Sequence, residues 1–462
     1  MYRTHWRSKI GFVLATAGSA IGLGNIWRFP YVAGQNGGGS FLLLYLLCTF
    51  GFGYFLLLGK LAFGRTAKTN IMDGFNIITQ KAGKKIRPFL GKFGGFLCAL
   101  NILLVGSIYT LVMGWTLSYA LQSGKILFGI QSAQSLSDYF PILSQSFWIQ
   151  FICGLICLIC AGFIIGRGVK KGIERASLFL MPLLFLLLLF LVGRILMIPE
   201  AQKGVSFLLT PDWSKIGFTE NGFQLKQFTS ILLTAMGQSI YSLSLGLGVI
   251  YIYGSYVADK TNLRRSALTI VVLDTTVSFL AGLLILPAVF AFGIEPSAGP
   301  SLTFQSLPHV FNNIWGGQFF GFCFFFLLFI AALTSLISIF EPLTNLLMEK
   351  QNLSRTRATF LTTAFIAFGF SIILSSFTKT LPLSFHDKDL FTQIDFITGE
   401  YLMGLFVILT CLFIGWIGIK PILHNIGSSG MVSHTFKRYF KLTLKLIAPL
   451  ILLILMLLKT FE

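Results

Sequence analysis

Stretches of about twenty apolar residues, parted by short polar segments, recur along the whole chain. A helix needs roughly 20 such residues to cross the hydrocarbon core of a bilayer. The pattern predicts spans near 10–36, 40–63, 88–121, 147–166, 172–198, 227–256, 263–293, 317–348, 354–377, 392–419 and 439–459, eleven in all. Some of them are not uniformly apolar. The first contains GSAIGLGNIWRFP (Gly18 to Pro30), with three glycines in seven residues and then Asn25, Arg28 and Pro30. The sixth carries Gln238, Ser242 and Ser244 beside a second glycine-rich stretch, the seventh carries Asp274, and the eighth carries Thr334 and Ser335.

Each glycine costs a helix roughly 1 kcal/mol relative to alanine, and an opened turn inside a bilayer is tolerated only where it faces protein or a water-filled cavity. Such a turn frees N–H groups at the start of one half-helix and C=O groups at the end of the other. The first attract anions; the second, with hydroxyls and amides, attract small cations. The amides of Gly22, Leu23 and Gly24 can therefore meet a carboxylate, and the carbonyls of Gly18, Ala20 and Ile21, with the Asn25 side chain, can ligate a cation. Hard oxygen donors without an excess of carboxylates suit a monovalent ion better than calcium. A competing reading is that the glycines merely let helices pack closely; the neighbouring Asn, Arg and Pro favour the site. Asp274, a carboxylate at depth, is a functional candidate by default. Thr334 and Ser335 alone read as structural, since such hydroxyls satisfy their own helix backbone. The cores GLGNI (Gly22 to Ile26) and GLGVI (Gly246 to Ile250) lie five spans apart, and an odd number of spans per repeat inverts the second copy. In glycine-rich spans such an echo also arises by coincidence.

Composition supports the membrane reading. Of 462 residues, 55% are hydrophobic and only 11% charged, with a mean hydropathy of +0.80; a soluble protein carries about 25% charged residues. The net charge of +19 raises the question of nucleic acid, but its distribution answers it. The N-terminus and the alternate loops on its side hold 25 Lys and Arg against 8 in the other loops, with Arg28 and Lys60 inside spans. That asymmetry puts the N-terminus in the cytoplasm and the C-terminus outside, and no nucleic-acid partner is expected. The seven cysteines fall in apolar runs; Cys153, Cys157 and Cys160 share a helix face, but no histidine lies nearby to complete a metal site. No cleavable signal peptide is expected. The five histidines are scattered over tails and loops, so an enzyme is not expected.

GLGNIWRFPYVAGQNGGGSF (Gly22 to Phe41), GWT (Gly114 to Thr116), KGIER (Lys171 to Arg175) with Pro182, GQSIYSLSLG (Gly237 to Gly246) and ALTSLISIFEP (Ala332 to Pro342) carry a likeness that runs essentially end to end. The chain resembles the neurotransmitter:sodium symporter family in its bacterial, LeuT-type form. The resemblance implies an all-α polytopic membrane protein of eleven transmembrane helices, a single domain over 1–462. It would hold a 5+5 inverted repeat (one copy about 10–198, the other about 227–419), an extra helix at about 439–459, and unwound helices 1 and 6. It implies a sodium-coupled symporter importing a neutral, hydrophobic L-amino acid by alternating access across a bacterial inner membrane. The oligomeric state is left open.

By the same resemblance, a first sodium would be held by Ala20, Asn25, Ser242, Asp274 and the substrate carboxylate. A second would be held by Gly18, Ile21, Ala331, Thr334 and Ser335. The carboxylate would meet the amides of Leu23 and Gly24 and the Tyr109 hydroxyl. The side-chain pocket would comprise Val105, Tyr109, Tyr241, Ser244, Leu247, Ser335 and Ile339. Gly22 stands where monoamine transporters carry an aspartate, which argues for an amino acid. Arg28 would pair with Asp395 above the site as an outer gate, and Tyr109 and Tyr241 would form an aromatic lid. Arg3 would pair with Glu349 as an inner gate, near Trp6 and Tyr256. The segment between Gly172 and Pro182 could unwind to let water reach the second sodium. Three positions depart from the family pattern: Lys60 replaces a glutamate, Leu247 replaces a phenylalanine, and Ser278 occurs with Asp274 one turn away, from which chloride independence is expected. The rival expectations are a proton-coupled amino acid permease of the same fold and a substrate-binding sensor impaired in transport.

Overall fold

The computed structural model describes residues 4–84, 89–131, 134–219, 222–293, 302–381, 383–385, 388–428, 430 and 432–461. In chain order, α1 (Lys9–Ala20) and α2 (Gly24–Gln35) form a pair bent by 52° at a short break, followed by α3 (Gly39–Ala67). A short helix, α4 (Ile71–Lys81), leads to α5 (Phe89–Leu127), α6 (Phe147–Gly166) and α7 (Val169–Leu196). Then come α8 (Leu225–Ser242) and α9 (Val249–Ser255), separated by residues 243–248. The chain continues through α10 (Leu263–Ala291), α11 (Gly317–Lys350), α12 (Arg355–Phe377) and α13 (Leu390–Ile417), and ends with the short α14 (Ile419–Gly427) and α15 (His434–Leu458).

Among the described residues, nine of these helices are long and apolar enough to cross a membrane, and the bent pair α1/α2 makes a tenth span. The expected segment 227–256 lies outside that count because it is two helices, α8 and α9, parted by six non-helical residues. Boundaries differ from expectation at one end of two helices: α3 runs past 63 to Ala67 at the N-terminal face and α5 past 121 to Leu127 at the opposite face, carried by helix-compatible polar residues beyond the apolar stretch. Two-stranded hairpins, Phe218–Thr219 with Gly222–Phe223 and Ser384–Phe385 with Lys388–Asp389, decorate the opposite face.

Burial sorts the helices into layers. In α11, 83% of the apolar window is enclosed, whereas in α15 only 28% is. The outward faces of the peripheral helices carry Trp148, Phe163, Phe179, Phe360 and Phe368 largely exposed. Water would not tolerate such a belt, but lipid does.

The chain start is fastened before α1 begins. Ser8 caps α1, its Oγ accepting from Gly11 N at 2.9 Å. The buried Glu174 carboxylate on α7 accepts from Arg7 N, Ser8 N and Ser8 Oγ at 2.7, 2.9 and 2.8 Å. Gly11 makes this approach possible, because a Cβ there would collide with the Glu174 side chain. Gly11→Ala should therefore displace Glu174 and loosen residues 5–10, at a cost of about 1–3 kcal/mol. Hydrogen exchange at the amides of Arg7 and Ser8 checks this; protection equal to that of the native protein would contradict it.

Candidate functional site

The two breaks lie side by side at the centre of the molecule. Helix α1 ends where Ile21 turns extended, with φ −72° and ψ 105°. Between α8 and α9, Ser244 adopts φ 51°, a left-handed conformation that a non-glycine residue occupies at a cost. Its hydroxyl gains a partner there, donating to the Ser19 carbonyl of α1 at 2.7 Å. One strained residue thus joins the two interrupted helices. Gln238 Nε2 adds a second link, donating to the Gly24 carbonyl at 3.0 Å.

A polar cluster fills the space between the breaks and α10. Asn25 Nδ2 donates to Ser242 Oγ, Asp274 Oδ1 and Ser278 Oγ, each at 2.8 Å. Asn25 Oδ1 accepts from Gly22 N at 3.2 Å, and Ser242 Oγ donates to Asp274 Oδ2 at 2.6 Å. Tyr45 OH stands 3.3 Å from both Ser242 Oγ and Ser278 Oγ. Asn25, Ser242 and Asp274 are fully buried, and Ala20, the last residue of α1, is buried too. A lone carboxylate among carbonyls, hydroxyls and one amide offers hard oxygen donors and one negative charge, which fits a monovalent cation. Among the described residues, no group of three or more His, Cys, Asp or Glu side chains is arranged to hold a metal ion.

A second oxygen set lies between α1 and α11. Ser335 Oγ is 3.5 Å from the Gly18 carbonyl and 3.3 Å from that of Ile21. Thr334 Oγ1 bonds the Ala331 carbonyl at 3.0 Å, and a Cβ on Gly18 would sit 3.5 Å from Thr334 Cβ. These are the residues expected to form the second cation set, gathered on one side of the break.

Between the two sets the backbone is bare. A Cβ on Gly22 would lie 2.5 Å from Ser335 Oγ and 3.0 Å from Tyr109 OH, and one on Gly24 would lie 2.7 Å from the Tyr241 ring. Tyr109 OH is 3.5 Å from Leu23 N. Val105 lies one turn from Tyr109 on α5, and Ile339 on α11 abuts α5 at Gly106. Leu247 is buried at the far side of the second break, where its carbonyl faces Cys98 Sγ at 3.7 Å.

The two faces differ. On the N-terminal face Trp6 is buried, its Nε1 donating to the Tyr253 carbonyl at 3.1 Å and its ring edge-on to Tyr253 and Tyr256. Tyr256 OH donates to Glu341 Oε1 at 2.7 Å. Glu341 is wholly buried and takes Arg355 as a bidentate partner at 2.5 and 3.1 Å. Arg3 lies outside the described residues; Glu349 accepts from Thr69 Oγ1, Asn70 N and Asn70 Nδ2 at 2.7 to 2.9 Å. On the opposite face Tyr241 is 37% exposed. The expected partnership of Arg28 with Asp395 is absent from the ion pairs among the described residues. Arg28 Nη1 instead donates to Gln238 Oε1 at 2.5 Å, with its guanidinium 4.9 Å from the Tyr241 ring centre. Asp395 stands exposed on α13. Trp6 is thus packed into the N-terminal face, whereas on the opposite face Arg28 and Asp395 are not paired.

Sequence reasoning named neither Glu341 nor Arg355 as site residues. The signal was present for Glu341, a carboxylate inside the apolar run of α11, as it was for Asp274. Lys60 was named only as a departure, and the structure gives it a partner. Its Nζ, fully buried on α3, donates to the Leu245 carbonyl in the second break at 2.5 Å and lies 4.9 Å from the Phe406 ring centre.

The profile described as the sodium:neurotransmitter symporter family matches residues 3–131 and 131–462. An uncharacterized sodium-dependent transporter of Haemophilus influenzae is 33% identical over 459 residues, covering 98% of this chain and 97% of its own. One of Bacillus subtilis is 35% identical over 453 residues, covering 97% and 96%. Among solved structures, the crystal structure of MhsT in complex with L-phenylalanine aligns with a TM-score of 0.85 at 33% identity, covering 99% of each chain.

Replacing Lys60 by Met should free the Leu245 carbonyl. Loss of an unpaired buried charge also relieves desolvation, so the informative readout is local rather than global. Amides of residues 243–248 should exchange several-fold faster than in the native protein; unchanged exchange would show that the ammonium does not hold the break.

Proposed function

The chain belongs to the sodium:neurotransmitter symporter family, and on that footing we propose that it imports a neutral, hydrophobic L-amino acid with sodium, independently of chloride. The homologues are transporters rather than enzymes, and the α-helical fold is that of the LeuT type. The carrying observation is the meeting of both interrupted helices on Asn25, Ser242 and Asp274, with Ser335 reaching the Gly18 and Ile21 carbonyls from the other side.

In this reading the amides of Leu23 and Gly24 and the Tyr109 hydroxyl take the substrate carboxylate, and carbonyls of the two breaks take its ammonium. One sodium binds at Ala20, Asn25, Ser242 and Asp274 and touches the same carboxylate. The other binds at Gly18, Ile21, Ala331, Thr334 and Ser335. An ion that shares an oxygen with the substrate binds better when the substrate is present, and linkage makes the converse equally true. Asp274 supplies a fixed negative charge beside Ser278 and Tyr45, which removes the need for an added anion there. The side-chain pocket of Val105, Tyr109, Tyr241, Ser244, Leu247, Ser335 and Ile339 holds no charged group, which favours an apolar side chain. The solved relative MhsT was captured with L-phenylalanine, in keeping with that preference.

The membrane would be a bacterial inner membrane with the N-terminus cytoplasmic, as the Lys and Arg asymmetry argues. The arrangement then faces outward: Tyr241 is exposed and Arg28 has yet to reach Asp395, while Trp6, Tyr253 and Tyr256 seal the cytoplasmic side. Arg28 with Asp395, and Arg3 with Glu349, would close the two ends in turn. The halves that rock against each other would be the repeats at about 10–198 and 227–419. The bond from Lys60 to the second break supports a working hinge over an impaired sensor.

Uptake into proteoliposomes tests the proposal. Replacing external sodium by N-methylglucamine should abolish accumulation of hydrophobic L-amino acids, and replacing chloride by gluconate should leave it unchanged. Thr334→Ala with Ser335→Ala should raise the sodium concentration for half-maximal uptake at least tenfold, from two lost ligands worth about 1 kcal/mol or more each. Accumulation that persists without sodium would favour the proton-coupled permease.

A further inference from the structure

The N-terminal face holds a second polar feature, apart from the central cleft. A cavity of about 530 Å³ opens there between the ends of α3, α4 and α14 and the loop that follows α9. Its walls include Arg65, Lys68, Lys81, Lys420 and His424, with Asp259 as the one carboxylate among the described residues. Four fixed positive charges thus face one negative charge. That carboxylate is already engaged, since Lys68 Nζ lies 2.7 Å from Asp259 Oδ2. The same hydrogen bond, with the charges of Lys68 and Arg65, holds Asp259 below the usual carboxylate range.

Arg65 makes the imbalance costly. It is wholly buried, yet it is in no ion pair among the described residues. Its bonds go to neutral oxygens: Nε to Asn425 Oδ1 at 2.7 Å, Nη2 to the Asn425 carbonyl and Nη1 to the Thr261 carbonyl, both at 2.6 Å. Three of its five N–H groups are used in this way. Asp259 acts on Arg65 only from beyond ion-pair distance and is itself taken by Lys68; a buried guanidinium so placed favours a further anion, and the cavity it lines is open to the exposed Lys81, Lys420 and His424. Lys81 Nζ is steadied by the Thr66 carbonyl at 2.7 Å.

We propose that this cavity binds a phosphate-bearing anion, with Arg65 at its base and Lys68, Lys81 and Lys420 at its rim. Basic pockets between helix ends at a membrane surface take the phosphate of anionic lipid headgroups; free phosphate carries the same chemistry. Arg65 already joins α3 to α14 and to the Thr261 carbonyl, in the loop leaving the second interrupted helix. An anion held there fastens the three together and favours the closed N-terminal face.

The test uses purified full-length protein in detergent, titrated with dioleoylphosphatidylglycerol, with dioleoylphosphatidylcholine as the zwitterionic control, and with inorganic phosphate. The readout is the thermal midpoint of the native protein and of the double variant Lys81→Gln, Lys420→Gln. Both lysines are exposed and belong to neither the amino acid nor the sodium sets, so sodium-dependent ligand binding should survive in the variant. Phosphatidylglycerol should raise the native midpoint where phosphatidylcholine does not. The concentration for half the effect should increase about thirtyfold in the variant, from a roughly fivefold loss per lysine. A rise with phosphatidylglycerol alone identifies a lipid headgroup; the same variant-sensitive rise with inorganic phosphate identifies a soluble anion. No rise from either, or an equal response in variant and native protein, overturns the proposal.

Discussion

Main-chain polar groups freed within a bilayer must find partners inside the protein, and much of this structure follows from how that demand is met. Two helices are interrupted at the same depth, and each supplies what the other lacks. Ser244 donates to the Ser19 carbonyl, Gln238 to that of Gly24, and Lys60 to that of Leu245. Asn25 closes its own turn through the Gly22 amide while reaching Ser242 and Asp274. What lies at the centre is a set of oxygens on either side of Gly22, with the Leu23 amide 3.5 Å from Tyr109 OH between them. In the proposed reading a zwitterion and small cations complete that arrangement.

The same constraint explains how the two ends can differ while the centre stays intact. The N-terminal seal is aromatic and ionic together: Trp6 lies on Tyr253 and Tyr256, and Tyr256 is tied through Glu341 to Arg355. A buried ion pair is costly to break by halves, so such a seal resists partial opening. The opposite end is held by softer contacts, with Arg28 lodged on Gln238 and Tyr241.

The parts legible from sequence were those whose chemistry is local. Glycines inside an apolar run announce a break wherever they stand, and Asp274 announces itself as a charge at depth; the helices followed from apolar length alone. The parts that were not legible depend on chain segments far apart. Glu341 is as anomalous in its run as Asp274, but its partner lies beyond the turn between α11 and α12. Lys60 finds its acceptor 185 residues away, at a carbonyl that exists as a free group only because another helix is broken. The ion pair of Arg28 and Asp395 was inferred by resemblance, and here Arg28 bonds Gln238 instead; in the proposed reading the pair forms when the outer end closes. Sequence identifies the two residues but not the state.

The claim at the centre is that substrate and sodium share one site built by two broken helices. Isothermal titration of the purified protein tests it most directly, with L-phenylalanine affinity measured across sodium concentrations and sodium affinity measured with and without L-phenylalanine. The account predicts that each ligand tightens the other by the same factor, and that this factor falls toward one in Asp274→Ala. Affinities that are independent of each other in the native protein would contradict it.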